Sequence, residues 1–266
     1  MRKLPPFTLV FLLLSARIVA AHEFWISPER YLIPQHKMIV AALRVGEDFK
    51  GPSFAYLPPQ TARFDLVQGD RAVPVTSRIG DRPALNQGVD RPGLWIVVHE
   101  TADHRLRYTD PQKFRNFANH KGFPAVLQQH KDRGLPDDGF VELYRRYAKA
   151  LVAVGDGAGA DRRVGLRTEI VAGLNPYIDD LTNGFPVQVI LDKAARADAQ
   201  IEVFGRSVGK VTVETYRTDA NGRAVITVAP DTEYLVNAVK MLPLEPHAPE
   251  DPVWMSLWAS LTFKTP

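Results

Sequence analysis

Cysteine is absent from the 266 residues, so no disulfide staples the chain and no lipid can be attached at an amino-terminal cysteine. The fold must therefore hold together by burial of apolar surface, which a chain of this length can supply. Beyond the first twenty or so positions no apolar run approaches the roughly 20 residues that a bilayer crossing needs. There is also no long Lys/Arg run and no fixed-period repeat, which removes the electrostatic reason to expect nucleic acid or an anionic membrane as partner and argues against a solenoid.

The chain does carry a leader. Arg2 and Lys3 supply a positive start, an apolar run follows over 7–14, and the small residues Val19-Ala20-Ala21 precede His22. This is the layout of a secretory signal peptide over 1–21, whose apolar part of roughly 15 residues is too short to remain as a membrane span. Export to the periplasm and cleavage before His22 are the expectation, with no stable span afterwards. Cleavage also removes Arg2, Lys3 and Arg17, turning 33 basic residues against 30 acidic ones into 30 against 30. The apparent basicity belongs to the leader.

Short β segments broken by Pro and Gly dominate from 26 to 108, most clearly at 38–45, 63–68, 72–76 and 94–100. The period then changes. Residues 111–133 and 140–154 carry apolar side chains at helical spacing, with Phe140, Leu143, Tyr144, Tyr147, Leu151 and Val154 along one side and Glu142 four residues before Arg146 as a supporting surface pair. The Gly-rich run 155–160 reads as a loop. Strand signals resume at 166–171, 187–191, 201–204, 210–216, 224–228 and 234–239, with a hairpin turn expected at Thr218-Asp-Ala-Asn-Gly222. In the last strand Met255, Leu257, Ala259, Leu261 and Phe263 share one face, and Trp254 and Trp258 share the other, turned toward another module. The expected class is mainly β: two antiparallel, immunoglobulin-like β-sandwich domains at 22–109 and 161–266, with a helical insertion and linker at 110–160.

His22 is the first candidate for chemistry. As the first residue of a mature chain it presents a free α-amine and an imidazole, two nitrogens able to grip one cation in a small chelate ring. The amine must lose its proton, and its ordinary pKa is about 7.7–8.0, so binding tightens as pH rises through that range. Nitrogen donors suit copper, nickel, cobalt and zinc. Phe24 and Trp25 favour an ordered start by burial. His99 at a strand end, beside Trp95 and Val97, and His104 in the following turn are the candidates for a further nitrogen; the alternative is a hydrogen-bonded strand-end histidine and a solvated loop histidine. His120 and His130, ten positions apart on one helix, point about 80° apart and cannot share a metal. His36 and His247 sit in Pro-flanked loops.

Three further patterns fail on context. Gly205-Arg-Ser207-Val-Gly209 has the spacing of a nucleophile elbow, but a strand rather than a helix follows it, so a β-turn is expected and no catalytic residue is assigned. The Gly-rich run follows a helix instead of opening one and so lacks aligned N–H donors for phosphate. Asp219 and Asn221 lack the spacing and distal Glu of a calcium loop.

Six blocks together, Ala21-His-Glu-Phe-Trp25, Arg44-Val-Gly46, Glu142-Leu-Tyr-Arg-Arg-Tyr-Ala-Lys149, Asn175-Pro-Tyr177, Thr218-Asp-Ala-Asn-Gly222 and Trp254-Met-Ser-Leu-Trp-Ala-Ser-Leu-Thr-Phe263, resemble the secreted family containing domain of unknown function 4198. The resemblance covers nearly all of the mature chain. It implies a two-part β protein with a periplasmic role in nickel or cobalt uptake, the residue after the leader as metal ligand, and an ABC- or ECF-type transporter component as partner. Where the family often carries a histidine in the segment matching Val239-Lys240-Met241, this chain has Lys240. The reading is thus a non-enzymatic metal-binding protein with His22 and His99 or His104 as ligands, nickel or cobalt as the bound ion and copper as a further candidate. Its rivals are a metal-free binding or scaffold module that uses an exposed tryptophan face, and a copper enzyme built on an amino-terminal histidine brace.

Overall fold

A computed structural model describes residues 22–266, so the leader expected over 1–21 lies outside the described residues. The first region supplies strands β1 (Glu23–Pro28), β2 (Leu32–Ile33), β3 (Met38–Gly46), β4 (Ser53–Phe54), β5 (Thr61–Gln68), β6 (Arg71–Pro74), β7 (Leu85–Gly88), β8 (Gly93–Thr101) and β9 (His104–Arg107). Helices α1 (Pro111–His120) and α2 (Ala125–Asp132) follow, then the long strand β10 (Val141–Val154). The rest is β11 (Thr168–Ala172), β12 (Phe185–Leu191), β13 (Ala194–Ala195), β14 (Gln200–Ser207), β15 (Lys210–Arg217), β16 (Arg223–Ile226), β17 (Glu233–Pro243) and β18 (Pro252–Lys264). The fold is mainly β with two helices between β-rich regions; the expected helical insertion is present, but the stretch 111–133 read as one helix is broken into α1 and α2. No described helix is long and apolar enough to cross a membrane.

Three sheets stack through shared side chains. A ten-stranded sheet runs β15-β14-β17-β18-β10-β8-β5-β6, with β2 and β9 also paired to β10. One of its faces meets the small sheet of β11, β12, β13 and β16, burying Ile96, Val98, Leu151, Phe185, Val189, Val236, Leu257, Leu261 and Phe263. On the other face Phe64, Leu66, Trp95, Val97, Ala148, Ala150 and Val152 pack under the sheet of β1, β3, β4 and β7, against Phe24, Ile26, Ile39 and Leu43. The two-residue alternation of each strand divides these sets. The same ten-stranded sheet passes through both halves of the chain, and neither half closes as an immunoglobulin-like sandwich of its own.

The expected helix over 140–154 is instead β10. Its Tyr147-Ala-Lys-Ala-Leu-Val-Ala-Val154 run is buried on both sides, and a continuous apolar run satisfies the helical and strand periods equally. β10 runs parallel to β18 from Val141↔Pro252 to Ala150↔Thr262 and antiparallel to β9 and then β8 on its other edge. Parallel strands covered on both faces read as unbroken hydrophobic sequence. Glu142 and Arg146 are therefore no helical surface pair; they share one face of a strand, roughly 13 Å apart along it.

The helices cover the tryptophan face. α1 starts at Asp110, whose side chain accepts the Gln112 N–H at 2.9 Å, with Pro111 in the first turn. It ends before Gly122 (φ 76°), where a Cβ would meet Gln200 Oε1 at 2.2 Å. Phe117 stacks on Trp258 with ring centres 5.5 Å apart, and Trp254 donates its indole N–H to His130 Nδ1 at 2.9 Å. Trp254 and Trp258 are thus buried by the chain's own helices, which corrects the exposed tryptophan surface expected for a scaffold module. His120 and His130 lie on two different helices, so the angle argued for one helix does not apply. Thr218-Asp-Ala-Asn-Gly222 does turn, with Gly222 N–H bonded to Asp219 O, but it carries the chain from β15 to β16, which pairs with β12 in the other sheet rather than back onto β15.

On the face opposite the tryptophans, Lys149 is fully buried. Its ammonium lies 2.7 Å from Asp161 and 3.7 Å from Glu169 and donates to the carbonyls of Arg162 and Ile170. This cluster fastens the segment after the Gly-rich loop, and β11, onto the central sheet. Replacing Lys149 by Met strands a buried carboxylate and is expected to cost about 3–5 kcal/mol. Thermal unfolding followed by circular dichroism checks it: a drop of roughly 6–20 °C for K149M, partly restored in K149M/D161N.

Candidate functional site

Between the sheet of β1 and β3 and helix α1, one stretch of the central sheet stays uncovered. The register of β10 on β18 sets Glu142 beside Trp254, Tyr144 beside Ser256 and Arg146 beside Trp258, all on that face. The result is a cleft of about 270 Å³. Glu142, Tyr144, Arg146 and Trp258 line its floor, Tyr108, Lys113 and Phe117 one wall, and Val45 and His22 the other.

His22 is exposed and immediately precedes β1. Its neighbour Glu23 is not free: Lys121 reaches from the end of α1 to Glu23 at 2.8 Å and to Glu202 of β14 at 2.5 Å, and all three are almost completely buried. Asn237 donates to Glu202 at 3.3 Å, and the Lys121 ammonium lies 5.3 Å from the centre of the Trp258 ring. Burial raises the Glu23 carboxyl pKa, with Lys121 pulling the other way. One ammonium between two carboxylates therefore fixes the chain one residue after His22.

Glu142 is buried at the cleft floor. Tyr108 donates to its Oε2 at 2.7 Å, Ser256 donates to Oε1, and Trp258 donates its indole N–H to the Ser256 hydroxyl at 2.8 Å. Burial pushes the carboxyl up to about 7 against the lowering effect of Ser256, Tyr108 and the Arg146 charge. The Tyr108 phenol is raised by its own burial and by that carboxylate.

Arg146 lies across the junction of this cleft and a second cavity. Its guanidinium carbon is 4.8 Å from the Tyr144 ring centre and 5.8 Å from that of Phe24. Nε is buried without a hydrogen-bond partner, and no carboxylate pairs with the group among the described residues. Burial lowers its pKa, offset by Tyr144, Glu23 and Glu142.

The second cavity holds the other two candidate ligands. His99 and His104 line it together with Phe24, Thr61, Thr101, Tyr144 and Arg146, whereas His22 lines the first cleft. His99 is buried between Phe24 and Phe64, with Nε2 3.4 Å from the Thr61 hydroxyl and Nδ1 unpartnered. Burial depresses its pKa to about 3, which keeps the imidazole neutral. His104 belongs to strand β9 rather than a turn; it stacks on Tyr144 at 5.0 Å, and burial and the Arg146 charge lower its pKa. Among the described residues no three His, Asp or Glu side chains converge to hold a metal.

The remaining motifs resolve into structure. Ser207 faces Lys210 across the tight turn of Val208 (φ 45°) and Gly209 (φ 76°) between β14 and β15. His130 is committed to Trp254 and to Pro136 O. Lys240 sits on β17 opposite Leu257 and does not line the cleft. Sequence reasoning overlooked Tyr108, Lys121, Arg146 and Ser256. The available signal was the strand-period triplet Glu142-x-Tyr144-x-Arg146, hidden by the helical reading of the same residues.

What fold and site define is a β-rich protein with a polar-floored cleft at its amino-terminal edge. Residues 19–241 match the family described as Domain of unknown function (DUF4198), and the chain belongs to that family, which is known from periplasmic proteins associated with nickel and cobalt uptake. No curated protein matches the chain in sequence. Among solved structures it is similar to the D0-D1 domain of Intimin, at 14% identity over 91% of this chain and 98% of that one, with a TM-score of 0.24. It is also similar to a tetra-tandem repeat in the extending region of a large adhesion protein, at 13% identity over 92% and 50% of the two chains, with a TM-score of 0.21. Likeness at that level carries no argument about function.

The two buried groups make opposite marks on stability. Glu142 titrates near 7 in the folded chain against 4.5 ordinarily, so its contribution is complete below pH ~4.5 and is lost as pH rises through 7, by about 3 kcal/mol at most. Denaturant unfolding across pH 4–8 is expected to show that loss in the wild type and not in Glu142→Gln. His99, at about 3 against 6.5, contributes stability that is present above 6.5 and lost as pH falls toward 3. In His99→Gln the acid-side slope is expected to be shallower.

Proposed function

We propose that the mature protein is a periplasmic accessory of nickel or cobalt uptake, binding the ion through the α-amine and imidazole of His22 and handing it to a membrane transporter of the ABC or ECF type. One observation carries the reading: the histidine that follows the leader's small-residue end stands at the lip of a cleft, and its neighbour Glu23 is clamped by Lys121. Membership of a family associated with nickel and cobalt uptake supports it. Neutral imidazole and amine nitrogens suit both ions, and copper by raw affinity. A terminal chelate supplies two donors, and His99 and His104 stand in the neighbouring cavity, so this chain by itself offers an incomplete donor set. That separation also counts against a copper brace enzyme, which needs a second imidazole beside the terminal one.

Calorimetric titration of protein beginning at His22 with Ni(II), Co(II) and Cu(II), beside a form carrying one extra residue before His22, tests the proposal. Affinity is expected to rise from pH 6 to pH 8 as the amine deprotonates, and to fall at least tenfold in the extended form at pH 8. Equal affinity in both forms would exclude the terminal chelate.

A further inference from the structure

Arg146 is a cleft residue whose charge no carboxylate among the described residues meets. Lys121 and Lys149 each meet two carboxylates in the interior, and Arg145, next to Arg146 but on the opposite face of β10, pairs with Glu100 at 3.0 Å and Asp103 at 2.7 Å. Arg146 instead lies 5.8 Å from the Phe24 ring centre and 4.8 Å from that of Tyr144, with a buried, unpartnered Nε. Arg146 is half-buried, with Nε buried and the group facing two cavities, and a guanidinium held there without a carboxylate is costly, so the position is explained when an anion in the cleft accepts hydrogen bonds from its terminal nitrogens. Glu142 cannot serve: it lies two pleats away, and its oxygens are occupied by Tyr108 and Ser256.

The slot favours a carboxylate. The guanidinium presents a planar fork of N–H donors, which a planar carboxylate matches by accepting two parallel hydrogen bonds. Lys113, which forms no ion pair among the described residues, adds positive charge at the wall. A cleft of about 270 Å³ fits a ligand of modest size. His22 lines the same cleft, and its terminal chelate leaves metal positions to be filled from outside the chain.

We propose that the Arg146 slot binds a carboxylate of a small polycarboxylate chelator, and that the metal cargo is taken up as this anionic complex, with His22 completing its coordination. The metal half of this inference rests on the function proposed above.

The test is calorimetry at pH 7.5 in a non-coordinating buffer on protein beginning at His22, with three titrants: Ni(II) alone, citrate alone and 1:1 Ni(II)–citrate. The complex is expected to bind at least tenfold more tightly than Ni(II) alone. Arg146→Gln is expected to weaken the complex about 10- to 100-fold, the range for losing a charge-assisted hydrogen-bonded pair, while leaving Ni(II) alone within twofold. Arg146→Lys, which keeps the charge and loses the planar fork, is expected to fall between, and its thermal unfolding shows whether the fold tolerates the change. The inference is overturned if Ni(II) alone and its citrate complex bind equally, if Arg146→Gln weakens both or neither, or if inorganic phosphate displaces the complex as well as free citrate does. If the extra residue before His22 changes nothing while Arg146→Gln still abolishes binding of citrate alone, the terminal chelate fails and the carboxylate slot stands.

Discussion

The parallel pairing of β10 with β18 is the constraint on which the remaining architecture rests. It joins two strands about a hundred residues apart in sequence, places β10 between the β17–β18 side and the β8–β5 side of one sheet, and so makes a single sheet out of both halves of the chain. Its register also builds the cleft floor. A shift of one residue would turn Glu142, Tyr144 and Arg146 to the face that Leu257 and Leu261 occupy, and put Lys149 on the face packed against Phe24 and Ile26. Register here is held by what each face buries, with Lys149 tied to Asp161 on one side and Glu142 to Ser256 on the other.

Buried charge is used twice for attachment and once differently. Lys149 and Lys121 each hold a segment against the rest of the fold: the stretch after the Gly-rich loop in one case, the start of β1 in the other. Neither cluster is a large source of net stability, because desolvation offsets most of the Coulombic gain, yet each penalises any arrangement in which its partners separate. Arg146 is half-buried, with Nε out of reach of water, and has no such partners. The two lysines, at the end of α1 and on β10, are satisfied by carboxylates, whereas Arg146, also on β10 but facing the cleft, is not.

Much of the β framework was legible along the chain. Strands at 38–45, 63–68, 94–100, 210–216 and 234–239 alternate because one face of each meets a layer and the other does not, or meets a different one. Helical spacing over 111–133 was legible, but as one helix; the break at Gly122-Phe-Pro124 between α1 and α2 was not read. Residues 140–154 misled for the converse reason: a strand covered on both faces has no polar side, and Glu142 and Arg146 then imitate a helical pair. His104 was placed in a turn because the two-residue break before it, Ala102-Asp103, conceals a return strand that pairs with β10 rather than with its neighbour β8.

By itself the sequence determined the mainly β class and the absence of disulfides, and it carries the leader pattern over 1–21 that ends before His22, since each is a property of local composition and spacing. Only the tertiary structure decided that His22 and Arg146 line one cleft while His99 and His104 line the next, that both tryptophans of the last strand are covered by α1 and α2, and that Glu142 is a buried acid instead of a surface one. Those facts depend on which distant strands lie side by side. Strand pairing is set by the summed burial of whole faces, a quantity that no short stretch of residues contains.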